Sequence, residues 1–433
     1  MKASVANYRM KTGFISSMRK ALDSCLRRND VLLALLLPVT LLAVTCCPSS
    51  SFAQESYLHH DFTVTLAPEE HGLTVVDAIT LPKDHPGELQ FTLHKGLMPA
   101  SPTPAVRIER RGAKQASVPL ESYAVILPPN LHAFVITYGG NIYHPVEQTG
   151  EEQARGFSDT PGVIAPQGAY LSGSSGWYPD FGSPLVTFDL DVRLPAAWDA
   201  VSQGARSIHD RGGNMTYVRW HSPEPQDAIF LIAAPFTFYG KSAGQVQAMA
   251  FLRSPDQGLA DKYLDATIKY LDMYSRLLGP YPYKKFALVE NFWETGFGMP
   301  SFTLLGPKVV RLPFIINTSY PHEILHNWWG NSVYPDYEKG NWSEGLTAYL
   351  SDYLMKEQQG GGTDYRIATL QKYADYVRGS KDFPLTDFRS RHSPSTEAVG
   401  YGKALMFFHM LRLELGDDNF KKGLREFYGK YKF

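Results

Sequence analysis

Two histidines four residues apart, with a glutamate directly after the first, are the residues of this sequence best suited to chemistry. They lie in the stretch SYPHEILHNWWGNS, Ser319–Ser332, as His322, Glu323 and His326. On a helix, such histidines lie within about 40° of each other and about 6 Å apart along the axis. Both imidazoles can therefore reach one metal ion. Glu323 points one step round the helix, where it can act as a general base on a water at that ion.

The same pattern would also fit two histidines buried in a helix core, so a third metal ligand is informative. Glu344, in NWSEGLTAY, lies 18 positions after His326 near the start of the next predicted helix. A short loop returning antiparallel would bring its carboxylate to the two imidazoles. Two histidines and a carboxylate are a ligand set of hydrolytic zinc sites. We therefore expect one Zn²⁺ per chain, bound by His322, His326 and Glu344.

These residues need a framework, and a chain of 433 residues is long enough for two or three domains. From about residue 57 to 242, short alternating runs such as HAFVITY and LVTFDLDVRL are interrupted by Gly and Pro, which indicates strands. Near residue 256 the pattern becomes helical, as in LADKYLDATIKYLDMYSRLLG. The prediction is an α+β multidomain fold, with an all-β sandwich or saddle domain at 54–250 and a mainly helical domain at 251–433.

The N-terminal segment is predicted to be a signal peptide, residues 1–53. A basic flank precedes the apolar run 31–44, and Ser51-Phe52-Ala53 fits a cleavage site that would leave Gln54 first. This predicts export to the periplasm or the outside of the cell, with no stable membrane span after cleavage. The alternative is an uncleaved segment that anchors the chain to a membrane. The formal net charge of −1 offers no basic excess for phosphates, so no nucleic-acid partner is expected.

The segments HEILHNWWGN and NWSEGLTAY resemble the H-E-x-x-H, W-x-G-N and N-E-G-x-A-x-Y patterns of the aminopeptidase N family, which includes leukotriene hydrolases. These enzymes are gluzincin zinc metallopeptidases. The resemblance implies an N-terminal β domain followed by a thermolysin-like catalytic domain, and a peptide or protein as the substrate. Members of the family usually have a further C-terminal helical domain. This chain is expected to lack that domain. The resemblance also implies zinc ligation by His322, His326 and Glu344, with Glu323 as the base.

The resemblance implies two further functional positions. GYGKALMFFHMLRLELGDDNF matches the segment that carries the family's oxyanion-stabilising tyrosine, which points to Tyr401 as a second catalytic residue. The segment GFGMPSF matches the family's G-x-M-E-N substrate strand, so Gly298 and Met299 are expected to bind substrate. Pro300 stands where the family has a glutamate that binds the free amine of the substrate.

The proline leaves the type of peptidase open. An endopeptidase or a hydrolase of N-blocked peptides would use the same metal and base without an amine anchor. Glu290 and Glu294, just upstream, remain the acidic residues that could replace the missing glutamate. A zinc-bound binding protein without turnover is the alternative from another functional class. The complete set of predicted ligands, base and tyrosine favours an enzyme.

Overall fold

The computed structural model describes residues 57–148 and 158–433. The predicted signal peptide and all three cysteines (Cys25, Cys46 and Cys47) lie outside the described residues. Within the described part of the chain, no helix combines the length and the apolar character that a bilayer-spanning segment requires.

The N-terminal half is built from β-sheets, as the alternating pattern predicts. A six-stranded sheet has the order Ala205–Gly212, Met215–Gln226, Val186–Pro195, Leu58–Ala67, Gly72–Thr80 and Ala133–Asn141. A four-stranded sheet has the order Asp199–Val201, Leu231–Ala234, Gly168–Leu171 and Gly162–Ala165. A three-stranded sheet consists of Glu88–His94, Leu120–Ile126 and Arg107–Lys114, and Glu147–Gln148 pairs with Ser158–Asp159. Alternate residues of these strands, including Phe62, Val64 and Leu190, fill one apolar core.

A five-stranded sheet separates this core from a second one. Its order is Thr237–Ala243, Val246–Leu252, Lys285–Glu290, Phe302–Leu305 and Gly296–Met299. In the central strand, Ala287 and Val289 face the β-rich core, whereas Phe286 and Leu288 face the helices. Burial on both faces explains the unbroken apolar run in this strand. The predicted domain boundary at 250/251 falls within the strand Val246–Leu252, and the division into domains stays a prediction.

The helices lie on the far side of the five-stranded sheet. They are Gln257–Leu278, Ser319–Leu325, Ser343–Ala348, Leu354–Gln358, Gly362–Tyr376, Pro394–Glu397, Ala404–Leu415 and Asp417–Tyr431. Two π-helical segments, Tyr349–Tyr353 and Ala398–Lys403, join consecutive helices. Short 3₁₀ turns occur at Pro68–Glu70, Gly173–Ser175, Val309–Arg311, Ile315–Asn317, Tyr337–Lys339, Gly379–Lys381 and Leu385–Asp387. The first helix is capped by Asp256, whose carboxylate accepts the N–H of Leu259.

Two consecutive tryptophans anchor the motif helix in the second core. Trp328 and Trp329 are fully buried, with Trp328 against Tyr274 and Trp329 against Phe427. The Trp328 indole donates a hydrogen bond to the carbonyl of Gly279 at 3.1 Å. Burial of these large rings fixes the end of the helix that carries the two histidines.

Candidate metal centre and catalytic cleft

The three predicted ligands meet at one point, although they come from two separate helices. His322 lies within the helix Ser319–Leu325, and His326 follows directly after it. The Nε2 atoms of both histidines lie 3.4 Å from Oε2 of Glu344. One ligand atom from each residue lies within 4.8 Å of the others. The three donors therefore converge as a metal site requires.

The ring nitrogens opposite the convergence point have hydrogen-bond acceptors. His326 Nδ1 lies 3.0 Å from the Trp329 carbonyl, and His322 Nδ1 lies 3.5 Å from the Asp352 carboxylate. These contacts favour protons on both Nδ1 atoms, which leaves the Nε2 lone pairs free to bind an ion. A tetrahedral site with bonds of about 2.1 Å has donor–donor edges of about 3.4 Å. The two separations between the histidines and Glu344 match that edge. The residues present therefore fit one Zn²⁺.

Asp352 was not found by sequence reasoning. It lies eight residues after Glu344, within the π-helical segment Tyr349–Tyr353, and its carboxylate lies 3.5 Å from His322 Nδ1. Ser351 donates a hydrogen bond to the Asp352 carboxylate at 3.0 Å, which orients that group. The sequence signal for this residue was a carboxylate on the same helical segment as the third ligand. Its distance from the histidines, however, depends on the irregular turn.

Without an ion, the charges at this centre compensate one another. Burial opposes ionisation of Glu344, but His326 and His322 hold its pKa well below the usual range. Burial also opposes the charged form of His322, yet the carboxylates of Asp352 and Glu344 raise its pKa well above 6.5. The ligand set is thus held together by electrostatic attraction before any metal binds.

The Glu323 side chain points to the edge strand Gly296–Met299. A Cβ atom on Gly298 would lie only 2.4 Å from Glu323 Oε2, so strand and carboxylate are in direct contact. Burial raises the pKa of Glu323, an effect that His322 and His326 partly offset. Gly298 and Met299 both line the same cleft as Glu323. Their predicted substrate-binding role is compatible with this position and stays a prediction.

Tyr401 lies against the first histidine of the metal centre and lines the cleft. Its ring stacks on His322 with centroids 6.1 Å apart and planes at 17°. Burial raises its pKa well above 10, and the charge of Glu344 contributes. Its position depends on Gly345, where a Cβ would lie 2.2 Å from Cβ of Ala404, so the two helices approach too closely for a side chain.

The edge strand is fixed by a network that sequence reasoning also missed. Met299 pairs with Phe302 across a two-residue turn in which Ser301 has φ +68°. A proline at the first central position of the turn and a positive φ at the second match a type II turn. The buried Lys285 ammonium donates to the Ser301 carbonyl and hydroxyl at 3.0 and 2.8 Å. Asn327, directly after His326, accepts the Ser301 N–H at 2.6 Å, which ties the turn to the metal-binding helix.

The two glutamates considered as replacements for the missing amine anchor bind other groups. Glu290 forms an ion pair with Arg311 at 2.6 Å and accepts the N–H of Arg253. Glu294 accepts the N–H of Lys308 at 3.0 Å. Neither glutamate is among the residues that line the cleft. The sequence-based possibility that one of them folds into the site is therefore wrong for this structure.

The metal centre opens into a cleft of about 2070 Å³ between the two halves of the chain. From the β-rich half it is lined by residues such as Asp159, Tyr170, Tyr178 and Asp227. From the helical half it is lined by the predicted ligands, Tyr337, Arg391 and Tyr401. The volume of this cleft exceeds the range typical of small-molecule pockets, so the cleft accommodates several residues of a peptide.

Residues 315–433 match the family model described as the Peptidase family M1 domain. Human aminopeptidase RNPEPL1 is 23% identical over 285 residues, which cover 59% of this chain and 37% of that protein. Rat aminopeptidase B is 24% identical over 279 residues, which cover 59% of this chain and 42% of that protein. The mouse RNPEPL1 match covers 48% of the relative, so the chain spans between about a third and a half of these relatives.

Solved structures confirm the fold. An M1 zinc metallopeptidase from Deinococcus radiodurans superposes with a TM-score of 0.64 at 20% identity, covering 87% of this chain and 86% of that chain. The native yeast LTA4 hydrolase superposes with a TM-score of 0.63 at 18% identity, covering 87% of this chain and 62% of that chain. The predicted fold class, with a β-rich part before a mainly helical part, is confirmed, and so is the resemblance to the aminopeptidase N family.

Proposed function

We propose that this chain, whose residues 315–433 match the Peptidase family M1 domain, is a metallopeptidase that hydrolyses peptide bonds with one zinc ion. The observation that carries the proposal is the convergence of His322, His326 and Glu344, whose ligand atoms lie within 4.8 Å of one another at the cleft. A general base and a phenol donor adjoin the same point. These are the groups that metal-assisted hydrolysis requires.

His322, His326 and Glu344 would hold the ion. When bound, zinc supplies Lewis acidity to the carbonyl under attack and to the attacking water. Glu323 takes the proton of that water and later delivers a proton to the leaving amine, as a general base and acid. Its contact with Gly298 restricts the carboxylate to the side of the cleft where the substrate strand lies.

Tyr401 would donate its hydroxyl proton in a hydrogen bond to the oxygen that becomes negative during attack. A fixed donor directed at developing charge stabilises the transition state more than the substrate. The contact with His322 and the nearby guanidinium of Arg391, 5.8 Å from the ring centroid, limit the positions that the phenol can adopt.

The relatives are named as aminopeptidases, but the amine-binding position of this chain argues for a different specificity. Pro300 has no side-chain acceptor, and Glu290 and Glu294 are held by other groups. A buried ammonium needs a carboxylate partner. We therefore infer that internal or N-blocked peptide bonds are hydrolysed at least as well as bonds next to a free N-terminus.

The peptidase proposal is tested by hydrolysis of a casein-like protein with and without a chelator. Activity should disappear with the chelator and return with added zinc. Glu323→Gln should retain one zinc per chain and lose turnover, because an amide cannot accept the proton. Undiminished hydrolysis by Glu323→Gln would contradict the mechanism. Zinc binding without hydrolysis of any peptide by the unmodified chain would support the alternative of a non-catalytic binding protein.

We also propose that the chain is exported. The support is the basic flank, apolar run and Ser51-Phe52-Ala53 site of the N-terminal segment. Expression of the full chain, cell fractionation and N-terminal sequencing would test it. Gln54 as the first residue of the exported protein is the expected result. A full-length chain in the membrane fraction would favour the uncleaved anchor.

A further inference from the structure

The two walls of the cleft differ in charge. Among the described residues, the β-rich half contributes three carboxylates to the cleft surface and no lysine or arginine; the carboxylates belong to Asp159, Asp180 and Asp227. The helical half contributes Lys356 and Arg391 together with the carboxylates of the metal centre and Glu397. A cleft with acidic walls of low dielectric attracts cationic groups, because field lines are concentrated there.

Asp227 is the aspartate of this wall with the strongest requirement for a cationic partner. It lies in the loop between the strands Met215–Gln226 and Leu231–Ala234 and is exposed into the cleft. Protein surrounds it on the other sides, and this burial raises its pKa to about 6. Only the backbone N–H groups of Asp227 and Ala228 offset that burial, so no cationic side chain of the described residues compensates it.

The surroundings of Asp227 are aromatic on the side of the metal centre. Burial, followed by the charges of Asp227 and Glu344, raises the pKa of Tyr337 to about 12. Tyr337 therefore lies within electrostatic reach of both carboxylates. Its side chain is 48% exposed and lines the cleft. A carboxylate beside an accessible aromatic ring is a favourable environment for an ammonium or guanidinium group.

We propose that Asp227 binds the cationic side chain of a lysine or arginine residue of the peptide substrate, in the cleft that Tyr337 also lines. The proposal rests on the peptidase function above and specifies its substrate class. Asp227 makes no hydrogen bond or ion pair with His322, His326 or Glu344 in the described structure. Asp227 and the metal centre line the same cleft from different halves of the chain. The long stems of lysine and arginine allow a charged group to extend from the scissile bond to a wall of the cleft.

The N-terminal ammonium of a substrate has the same chemistry, so the test must separate the two sources. N-acetylated peptides lack the terminal charge. The peptides of the series should differ only in having Lys, Arg, Met or norleucine at each position flanking the scissile bond. For one of these positions, kcat/KM should be at least about tenfold higher with Lys or Arg than with Met. Asp227→Asn should remove this difference and leave the Met and norleucine peptides within about twofold of the unmodified enzyme.

Two variants make the result specific. Asp180→Asn removes another carboxylate of the same wall and should leave the preference for Lys and Arg unchanged. Asp227→Lys should invert it, so that Glu replaces Lys as the preferred residue at the same position. Asp227→Asn should not lower the thermal stability at pH 7, because burial already disfavours the charged carboxylate. A folded Asp227→Asn enzyme that still prefers Lys and Arg would overturn the proposal.

A binding measurement gives a readout that does not depend on turnover. In the Glu323→Gln background, fluorescence anisotropy should show tighter binding of an acetylated Lys peptide than of its Met analogue. Adding Asp227→Asn should abolish that difference. If the effect of Asp227→Asn appeared only with free-amine Met peptides, Asp227 would bind the terminal ammonium and the proposal would be wrong. Hydrolysis without any preference for Lys or Arg would overturn this inference alone, whereas hydrolysis of no peptide would overturn the proposed function.

Discussion

Gly298 and Glu323 are in such close contact that no side chain fits between them. A Cβ on residue 298 would lie 2.4 Å from Glu323 Oε2 and 3.4 Å from Cδ2 of His326. The backbone of the edge strand in the five-stranded sheet therefore contacts a side chain of the helix Ser319–Leu325. Through this contact, the strand sets the position of the proposed base.

Gly298→Ala should displace Glu323 or the strand and lower kcat by about 10- to 100-fold, as expected for a small misplacement of a catalytic group. Zinc content should stay at one per chain, because the ligands are not replaced. Gly296→Ala is the matched control, since a Cβ at that position in the same strand meets no atom within 4 Å. Equal loss of activity in both variants would show that the contact with Glu323 is not responsible.

Loss of a metal ligand should weaken zinc binding more than loss of a residue that only orients a ligand. His326→Ala should abolish stoichiometric zinc binding, because one of three protein ligands is lost. Asp352→Asn should keep the site but weaken zinc affinity by about 10- to 100-fold, because Asp352 only orients His322. Competition with a chromogenic chelator measures both effects. Full zinc occupancy in His326→Ala would refute the assignment of that ligand.

Tyr401→Phe should lose about 2.7–4 kcal/mol of transition-state stabilisation, mainly as a fall in kcat with little change in KM. Tyr365→Phe is a suitable control, because Tyr365 also lines the cleft. Steady-state kinetics of both variants on one peptide would measure the difference in kcat. Unmodified kcat in Tyr401→Phe would indicate that the tyrosine only packs against its neighbours.

One chromogenic peptide with its N-terminus either free or acetylated should be cleaved at least as fast in the acetylated form. The physical reason is that Pro300 provides no acceptor and that Glu290 and Glu294 bind Arg311 and Lys308 instead. A strong preference for the free amine would show that another group of the cleft binds it.

Acid should destabilise the β-rich half through His94 and His144, whose Nε2 atoms lie 3.1 Å apart. Burial, and then the neighbouring imidazole, lower the pKa of His94 to about 4. A depressed histidine pKa means that the neutral form stabilises the fold above pH 6.5, and that this contribution is lost as the pH falls towards 4. The loss should therefore grow as the pH falls from 6.5 to 4.

Unfolding by urea at pH 7.5, 6 and 5 would measure this effect. His144→Gln should reduce the acid sensitivity, because it removes the second imidazole.

The sequence by itself predicted which residues converge as a candidate metal site, because helical periodicity fixes the relation between His322 and His326 and leaves Glu323 beside them. It also determined that strands precede helices, since hydrophobic periodicity is a local property. The strand Lys285–Glu290 and the buried Trp328 and Trp329 were likewise predictable from apolar pattern and size.

Only the tertiary structure decided which distant residues join the site. Asp352 reaches His322 through a π-helical turn, and regular 3.6-residue periodicity does not anticipate such a turn. Lys285 and Ser301 are 16 residues apart and meet because the strands that carry or adjoin them pair in the sheet. Asp227 enters the cleft from the other half of the chain. Contacts of this kind depend on how sheets and helices pack, and no local pattern of residues encodes that packing.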